Sequence, residues 1–285
     1  MRKFIVSDIH GFGNFYYSIM NYLDELSKEE EIELYINGDL IDRGNESVEI
    51  LLDVIKRIEE QNPRFKIEYL GGNHELMMYI ACLRKLNGSV FLPLSSWYLS
   101  ANGGKRTEDG LHKALNNNYD KLSEVVSIIG DLNIYHKFNE VINNKQIVLV
   151  HAASPRIVND ICDLKVKNHR SSHYLWAREE KTLPIIGRIG NKNYFTIIGH
   201  TPNNYSFGYV FNKEGNYLNI DGGCAPYVLG CQSFNHFPLV EVKENYLRIL
   251  TFNSQKEIIY GNYFDGIGST PFTKEELTQE RKKLI

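Results

Sequence analysis

Three short β-favouring runs in the first part of the chain are each followed by a segment with helical periodicity. The runs are KFIVS, IELYIN and FKIEYL, at residues 3–7, 32–37 and 65–70, and the helical segments cover about 14–26, 47–60 and 74–86. Alternation of strand and helix is typical of βαβ units, in which helices connect parallel strands and cover the sheet. The sequence therefore predicts a parallel sheet with helices packed against it.

The second half of the chain has a different pattern. Residues 105–130 again have helical periodicity, with a break near three consecutive asparagines. They are followed by β-like runs separated by Asn- and Gly-rich turns: IVLVHA, YFTIIGH, FGYVF, NYLNIDGG, PLVEV and YLRILTF. The predicted fold class is α/β with an α+β leaning, built from two packed β-sheets flanked by helices, with a helical insert at 87–130.

No linker rich in Pro, Ser or Gly divides the chain, so we expect one domain over residues 1–285. Residues 255–285 are interpreted as a C-terminal extension. Its last segment, TKEELTQERKKLI, has helix-forming residues of mixed charge and predicts a surface helix.

The charge balance argues against general binding to nucleic acid. The chain has 32 Lys and Arg against 35 Asp and Glu, and its only dense basic stretch, KVKNHR at 165–170, is short. Proteins that bind the phosphate backbone usually have a basic stripe. No apolar run is long enough to span a membrane, no apolar signal region follows the first strand pattern, and the four cysteines lack metal-knuckle spacing. We therefore expect a cytoplasmic protein with free thiols and no membrane contact.

Each clear strand-like run is followed by polar residues that a strand end does not require. Asp8 and His10 follow the first run, and GDLIDRG (38–44), GGNHE (71–75), His151, His200 and DGG (221–223) follow later ones. In open α/β sheets the carboxyl ends of the strands line the ligand crevice. We therefore expect these segments to converge although they are far apart in sequence.

The side chains that would converge form a set of metal donors. They are the carboxylates of Asp8 and Asp39, the imidazoles of His10, His151 and His200, and the amide oxygen of Asn73. Mixed carboxylate and imidazole donors suit Mn²⁺, Fe or Zn²⁺, and the set is too large for one ion that must keep an open position. Two divalent ions are therefore predicted, with the Asp39 carboxylate between them. Gly38 and Gly72 precede donors, where the missing side chain allows a close approach.

Six motifs occur in a fixed order along the chain: DIHG (8–11), GDLIDRG (38–44), GGNHE (71–75), HA at 151, GHTP (199–202) and IDGG (220–223). In order and spacing they resemble the phosphoprotein phosphatase family of metallophosphoesterases, which implies a calcineurin-like β-sandwich. The DRG triplet distinguishes this family from purple acid phosphatases and double-strand-break repair nucleases. SWYLSANGG (96–104) and LWAR (175–178) are similar to its bacterial and phage branch, which includes small protein phosphatases and symmetrical diadenosine-polyphosphate hydrolases.

The resemblance implies a role for each matching residue. It implies that Asp8, His10 and Asp39 hold one metal ion and that Asp39, Asn73, His151 and His200 hold the other. His74 matches the family's general acid, oriented by Asp42, and Arg43 and Arg178 match its phosphate-binding arginines.

Elementary chemistry agrees with these roles. Hydrolysis of a phosphate monoester is very slow without a catalyst, and a hydroxide that bridges two metal ions would supply a nucleophile at neutral pH. Arginines would neutralise the phosphoryl group, since their planar charged groups match phosphate oxygens. His74 is adjacent to the donor Asn73, and pairing with Asp42 would keep it protonated for the leaving group. No covalent phosphoenzyme is required.

The leading hypothesis is a Mn²⁺-dependent serine/threonine protein phosphatase, whose partner is a phosphorylated protein or a small phosphoester. An alternative is a hydrolase of dinucleoside polyphosphates, if the insert at 87–130 shapes a nucleotide pocket. A third hypothesis is a catalytically silent binding module, against which the intact donors, His74 and Arg43 argue. Cys224, Trp97 and Trp176 are interpreted as packing residues rather than as a nucleophile and substrate contacts.

Overall fold

The computed structural model describes residues 1–88, 96–153, 164–168, 172–178, 193–205, 207–213 and 216–284, and all of their side chains except those of Ser172 and His173. The N-terminal part confirms the predicted alternation of strand and helix. Its elements are β1 (Arg2–Val6), α1 (Gly13–Ser27), β2 (Ile32–Asn37), α2 (Ser47–Glu60), β3 (Phe65–Leu70) and α3 (Asn73–Leu86).

Helix α2 shows why the periodicity was informative. Val48, Leu51 and Ile55 recur at three- and four-residue steps and are all buried against the core. The helix ends where Gln61 adopts a left-handed backbone with φ of 48°, which closes the last turn.

The helical insert contains α4 (Gly104–Ala114) and α5 (Tyr119–Asp131), preceded by a 3-10 turn at Ser96–Tyr98. The break falls at the three asparagines. Asn116 and Asn117 have positive φ angles, and the Asn118 side chain accepts hydrogen bonds from the backbone N–H groups of Asp120 and Lys121. Asparagine tolerates the left-handed region and caps helix N-termini, so the triplet ends one helix and begins the next. Residues 89–95 of the insert lie outside the described residues.

The C-terminal part is mostly β. Its elements are β4 (Tyr135–Ile142), β5 (Lys145–Val150), α6 (Ser172–Trp176), β6 (Tyr194–Ile198), β7 (Val210–Asn212), β8 (Tyr217–Asn219), α7 (Cys224–Val228), β9 (Phe237–Lys243), β10 (Tyr246–Phe252), β11 (Ile258–Phe264), β12 (Ser269–Pro271) and α8 (Lys274–Lys282). Strands β4, β11 and β12 were not predicted. Polar residues interrupt β4, and β11 contains Gly261 and Asn262, so their pairing depends on neighbouring strands rather than on local preference.

The described strands form two sheets. One has seven strands in the order β12-β11-β10-β9-β1-β2-β3, and the other has five in the order β4-β5-β6-β8-β7. Strands β1, β2 and β3 run parallel, as do β5, β6 and β8. The carboxyl ends of both parallel sets meet at one edge, where the Asn37 side chain at the end of β2 donates to the carbonyl oxygen of Val150 at the end of β5, at 3.1 Å.

Alternation of side chains along the strands builds two cores. Ile5 of β1 and Val240 of β9 lie between the two sheets, together with Leu149 of β5. Their neighbours Phe4 and Leu239 face the opposite way, into the core that the helices cover. The predicted pair of packed sheets flanked by helices is therefore confirmed.

The C-terminal extension is integrated into the larger sheet. It supplies the edge strands β11 and β12, and α8 begins with a capping box between Thr273 and Glu276. Helix α8 is a surface helix as predicted, but Glu280 on it is buried and accepts hydrogen bonds from Arg248 and Tyr22. Buried charge with these partners fixes the last helix on the sheet.

Two features of the composition also have structural counterparts. Cys82, Cys224 and Cys231 are free thiols, and Cys162 lies outside the described residues. A search of the described helices finds none that is both long and apolar enough to cross a membrane.

Candidate metal centre

The polar segments that follow the parallel strands converge at the shared edge of the two sheets. The backbone N–H of His10 donates to the carbonyl oxygen of Asp39 at 2.9 Å, which joins the segments after β1 and β2. The backbone N–H of Gly199 donates to the carbonyl oxygen of His151 at 2.8 Å, and that of His200 donates to the Asp8 carboxylate at 3.0 Å. The structure therefore brings together residues that are up to 192 positions apart.

Six of the predicted site residues adopt the left-handed backbone region. Their φ angles lie between 47° and 73°, and they are Asp8, His10, Asp39, Asp42, Arg43 and His200. This region is unfavourable for residues with a side chain and persists only where the surroundings enforce it. The segments after β1, β2 and β6 thus turn sharply at the edge where the strand ends meet.

Asp39 lies between two groups of donor atoms. Its Oδ2 is 3.4 Å from His10 Nε2, and its Oδ1 is 3.4 Å from His151 Nε2. His10, Asp39 and His74 form one group with ligand atoms within 4.8 Å of one another, and Asp39, His151 and His200 form a second. Both groups contain Asp39, which is the position predicted for a carboxylate shared by two ions.

The histidines are oriented for metal binding. His10 Nδ1 lies 3.0 Å from the carbonyl oxygen of Ile41, and His151 Nδ1 lies 2.9 Å from that of Asn37. When Nδ1–H donates to a carbonyl oxygen, Nε2 is the nitrogen that can bind a metal ion. Metal-binding histidines are usually held in this way. His151 Nε2 is also 3.0 Å from Asn73 Oδ1, so these two donors face the same point.

His200 provides the test of whether the site fits a metal ion. Both of its ring nitrogens are buried and have no hydrogen-bond partner among the described residues. A buried polar atom without a partner costs free energy, and a divalent ion would satisfy one of these nitrogens. The donor set and this unsatisfied ring fit a divalent metal centre.

Asp8 is placed differently from the other donors. Its carboxylate accepts hydrogen bonds from the His200 backbone and from the Ser7 hydroxyl. In the first group of donor atoms, the third member beside His10 and Asp39 is His74 rather than Asp8. The Asp8 carboxylate thus already accepts hydrogen bonds from neighbouring residues of the candidate metal centre.

The electrostatics keep most donors in the form that binds metal at neutral pH. Burial lowers the pKa of His10 to about 3, assisted by Arg43, and burial with the charge of His151 lowers the pKa of His200 to about 2. Burial alone would raise the pKa of Asp39, but the charges of His151 and His74 outweigh it and hold the pKa well below its usual value. Two neutral imidazoles and one carboxylate are therefore ready to coordinate.

His151 and Asp8 hold protons more tightly. Burial alone would lower the pKa of His151, but the charge and hydrogen bond of Asp39 raise it to about 10. Burial raises the pKa of Asp8 to about 6 against the opposing effect of His151. A metal ion at His151 must therefore displace a proton.

His74 lies in the first turn of α3 and faces both Asp42 and Asp39. Its Nδ1 is 2.7 Å from Asp42 Oδ2, its Nε2 is 4.0 Å from Asp39 Oδ2, and it is buried. Burial alone would lower its pKa, but the charge of Asp39 and the hydrogen bond to Asp42 raise the pKa above the usual value. His74 is thus a buried imidazole in the first group of donor atoms whose pKa favours the protonated form.

The two predicted arginines occupy different places. An Nη atom of Arg43 lies 2.8 Å from His10 Nε2, which puts this guanidinium against the first group. Arg178 is exposed, and its charge contributes to the low pKa of His200 at the second group. Trp176 is 40% exposed, with its ring edge-on to His200 at 6.1 Å between centroids. Two arginine charges and the ring of Trp176 thus act close to the donor atoms.

Sequence analysis did not identify the part that Glu75 plays. Glu75 is fully buried and accepts hydrogen bonds from the backbone N–H groups of Asp39, Leu40 and Gly72. A Cβ on Gly72 would lie 2.4 Å from Asp39 Oδ1, which is why glycine is needed there. Glu75 thus joins the segment after β2 to the segment after β3, and its spacing from Gly72, that of a capping box, was the available signal.

Trp97 and Thr107 were also missed as site residues. Trp97 Nε1 donates to Asp42 Oδ2 at 2.6 Å, and the Thr107 hydroxyl donates to Asp42 Oδ1 at 2.5 Å. Trp97 is buried, as the packing interpretation predicts, but it also contacts the partner of His74. Burial raises the pKa of Cys224 well above its usual value, so this cysteine stays a neutral thiol.

Comparisons with known proteins agree with this geometry. A family model described as calcineurin-like phosphoesterase matches residues 1–230. A cold-active protein-tyrosine phosphatase of a psychrophilic Shewanella species is 16% identical, with 95% of this chain and 80% of that chain covered and a TM-score of 0.51. A protein serine/threonine phosphatase of Saccharomyces cerevisiae is 15% identical, with 89% and 80% covered and a TM-score of 0.54. At these identities the likeness is one of fold. No curated protein sequence matches the chain.

Proposed function

The chain belongs to the calcineurin-like phosphoesterase family, and from that premise we propose that it removes phosphate from phosphoserine and phosphothreonine in proteins. Members of this family hydrolyse phosphoesters and depend on divalent metals, and the Asp and His groups of this chain suit metal binding. For this chain, the protein substrate, the role of each residue and the choice of Mn²⁺ are our proposal.

One observation carries the proposal: His74, paired with Asp42, belongs to the first of two groups of donor atoms that share Asp39. A metallophosphoesterase must activate a nucleophile and also protonate the departing oxygen. The shared carboxylate supports the first task, and a buried histidine with a raised pKa supports the second. A binding protein would need neither of these groups.

We assign the two ions to residues as follows. Asp8, His10 and Asp39 would hold one, and Asp39, Asn73, His151 and His200 would hold the other. When bound, two divalent ions supply the nucleophile and offset the charge of the phosphoryl group. Mn²⁺ fits the mixture of carboxylate, amide and imidazole donors, and Fe and Zn²⁺ are the other candidates.

His74 acts on the leaving group. The serine or threonine alkoxide is a poor leaving group, and His74 Nε2 donates the proton that neutralises it as the P–O bond breaks. Asp42 accepts the hydrogen bond from Nδ1 at 2.7 Å, which fixes the tautomer and favours the protonated ring. Asp42 therefore orients the acid without touching the substrate.

Arg43 and Arg178 bind the phosphate oxygens. Arginine carries a permanent charge and a planar set of donors that match a phosphate. Arg43 is half-buried and its Nε donates to the carbonyl oxygen of Ala101, whereas Arg178 is exposed, so a bound phosphate would order Arg178 more than Arg43.

A second candidate function is hydrolysis of dinucleoside polyphosphates. The observation that favours it is the partly exposed Trp176 ring beside His200, since an aromatic side chain next to the donor atoms can stack on a nucleobase. The same metal centre and the same acid would serve this reaction.

One side-by-side measurement separates the two candidates. Metal-free protein is loaded with Mn²⁺ and assayed with phosphoserine, phosphothreonine and phosphotyrosine peptides and with diadenosine tetraphosphate. We expect kcat/KM for the phosphoserine and phosphothreonine peptides to exceed that for diadenosine tetraphosphate by more than about a hundredfold, which corresponds to about 2.7 kcal/mol of transition-state stabilisation. A preference of that size for diadenosine tetraphosphate would replace the proposal with the second candidate. Parallel loading with Zn²⁺ and Fe²⁺ tests the choice of metal, and full activity in excess chelator would contradict the metal assignment.

A further inference from the structure

The Asp42 carboxylate is fully buried, and each of its oxygens has donors. Oδ2 lies 2.7 Å from His74 Nδ1 and accepts from Trp97 Nε1 at 2.6 Å, while Oδ1 accepts from the Thr107 hydroxyl at 2.5 Å. A buried carboxylate needs hydrogen bonds to replace its hydration, and these bonds also fix the rotation of the group. Two of the three donors come from the helical insert rather than from the strand ends.

The two donors of the insert are buried. Trp97 is 0% and Thr107 is 1% exposed. Trp97 lies in the 3-10 turn, and Thr107 lies near the start of α4. A Cβ on Gly104, the first residue of α4, would lie within 2.5 Å of the Trp97 ring and carbonyl oxygen, so turn and helix are packed in direct contact. Trp97 and Thr107 therefore approach Asp42 as one unit.

The insert also contacts the backbone of Arg43. Arg43 Nε donates to the carbonyl oxygen of Ala101 at 3.4 Å, and Arg106 donates to the carbonyl oxygen of Arg43 at 3.2 Å. A Cβ on Gly103 would lie 2.5 Å from the backbone nitrogen of Arg43, so only glycine permits this contact. Asp42 and Arg43 are consecutive residues with φ of 73° and 67°, an unfavourable conformation that contacts of this kind hold in place.

We infer that Trp97 and Thr107 are positioning residues for the proton donor, and that the 96–107 part of the insert is a built wall of the active site. They fix the Asp42 carboxylate so that Oδ2 meets His74 Nδ1, and they thereby aim Nε2 at the leaving oxygen. This inference rests on the proposed function, because it takes His74 as the acid. Without the two donors the carboxylate rotates and the imidazole loses its orientation.

Leaving-group dependence provides the activity test. We compare Thr107→Val, which keeps the shape and removes the hydroxyl, and Trp97→Phe, which removes the indole N–H, with Thr107→Ser, which keeps the hydroxyl. The matched control is Tyr98→Phe, since the Tyr98 hydroxyl lies in the same insert but donates to Glu108 rather than to Asp42 among the described residues.

A misaligned acid should matter only where the leaving group needs a proton. For a phosphoserine peptide we expect kcat to fall about 10- to 100-fold in Thr107→Val and Trp97→Phe, with little change in KM. For p-nitrophenyl phosphate, whose leaving group departs as the anion, the same variants should stay within about threefold of the wild type. Thr107→Ser should restore most of the lost kcat, Tyr98→Phe should match the wild type, and adding Thr107→Val to His74→Asn should cost nothing further.

A second measurement does not depend on activity. In the metal-free protein the proton on His74 Nδ1 should give a downfield NMR resonance protected from exchange, identified by its loss in His74→Asn. Thr107→Val and Trp97→Phe should broaden or abolish this resonance, and Tyr98→Phe should retain it. A single cooperative unfolding transition, an unchanged circular-dichroism spectrum and a metal content equal to that of the wild type establish that the fold of Thr107→Val is intact, although loss of the buried hydrogen bond lowers its melting temperature.

The outcomes distinguish the inference from the proposed function. An unchanged resonance in both variants, or an equal loss of activity on both substrates, would overturn the inference. Loss of the resonance, together with a His74→Asn variant as active as the wild type on the phosphoserine peptide, would support the positioning and refute the proton-donor role.

Discussion

Glu75 Oε2 accepts a hydrogen bond from the backbone N–H of Asp39 at 2.8 Å, so a residue of α3 fixes the backbone that carries the shared carboxylate. The Glu75 carboxylate also accepts hydrogen bonds from two further backbone N–H groups and from the Tyr69 hydroxyl. Four donors on one buried group mean that the positions of two segments depend on it. The first prediction follows from this contact.

Glu75→Ala should lower both stability and metal binding. It leaves buried N–H groups without an acceptor, at about 1–3 kcal/mol each, so we expect the free energy of unfolding to fall by about 3 kcal/mol or more. Metal content should fall because the Asp39 segment shifts. Chemical denaturation and metal analysis provide the measurements. Glu59→Ala, at an exposed position of α2, should match the wild type in both. A fully loaded Glu75→Ala variant would contradict the role of Glu75.

Asp39→Asn should reduce occupancy at both metal positions. The neutral amide removes the charge that offsets two dications, and both groups of donor atoms contain this residue. His200→Asn should reduce occupancy at one position only. Metal-to-protein ratios after equal loading and dialysis measure the difference, and an Asp39→Asn protein that retains two ions would refute the shared carboxylate.

His74→Asn should leave the metal content intact and reduce kcat by about 10² to 10⁴ on a phosphoserine peptide, which is the usual contribution of a general acid. Asparagine keeps a side-chain donor toward Asp42 but has no proton to give to the leaving group. Steady-state kinetics with matched metal analysis test this. Wild-type activity on that peptide would refute our assignment.

The pH dependence of metal binding should follow His151. Its pKa is raised from 6.5 to about 10 in the metal-free protein, so a proton competes with the metal throughout the neutral range. Metal affinity should therefore rise with pH up to about 10. The protonated His151 stabilises the metal-free fold below pH 6.5, and this contribution is lost as the pH rises through about 10. Metal titrations between pH 6 and 10 measure the affinity, and denaturant unfolding of the metal-free protein over the same range measures the stability. His151→Asn should flatten both pH dependences.

Acid should destabilise the fold through Glu241. Burial would raise its pKa, but hydrogen bonds and charge from Arg2 and Lys243 outweigh that effect and lower it from 4.5 to about 2. A lowered carboxylate pKa stabilises the fold above pH 4.5, and this contribution, about 3 kcal/mol, is lost as the pH falls towards 2. Unfolding of chelated protein between pH 2 and 6 measures it. Glu241→Gln should lack this part of the acid dependence, and an unchanged curve would contradict the prediction.

The βα alternation and the polar strand ends could be predicted because both are local patterns. Strand runs, helical periodicity and donor residues after each strand are all visible in the sequence, and parallel strands must bring their carboxyl ends to one edge. The order of the motifs then indicated the family.

The rest depends on contacts that no local pattern encodes. Nothing in the sequence reports that Asp42 and Arg43 have positive φ angles, because even aspartate, which is enriched in that region, adopts it at only a small fraction of its positions. Thr107 reaches Asp42 only because α4 packs against the segment after β2. Strand β11 forms because β10 offers it a pairing edge, although Gly261 weakens its own preference for strand.

The strand order of the larger sheet has a consequence for how the protein is made. Strand β1 pairs on one side with β2 and on the other with β9, and the Arg2 side chain bonds to Glu241, 239 positions later. During synthesis one edge of β1 therefore has no partner until most of the chain has left the ribosome, and an open strand edge invites intermolecular pairing. Contacts this distant in sequence also slow folding. Strand β1 and the adjacent Asp8 thus reach their final positions late in biosynthesis. The nascent chain is most exposed to aggregation while only its N-terminal half has been made.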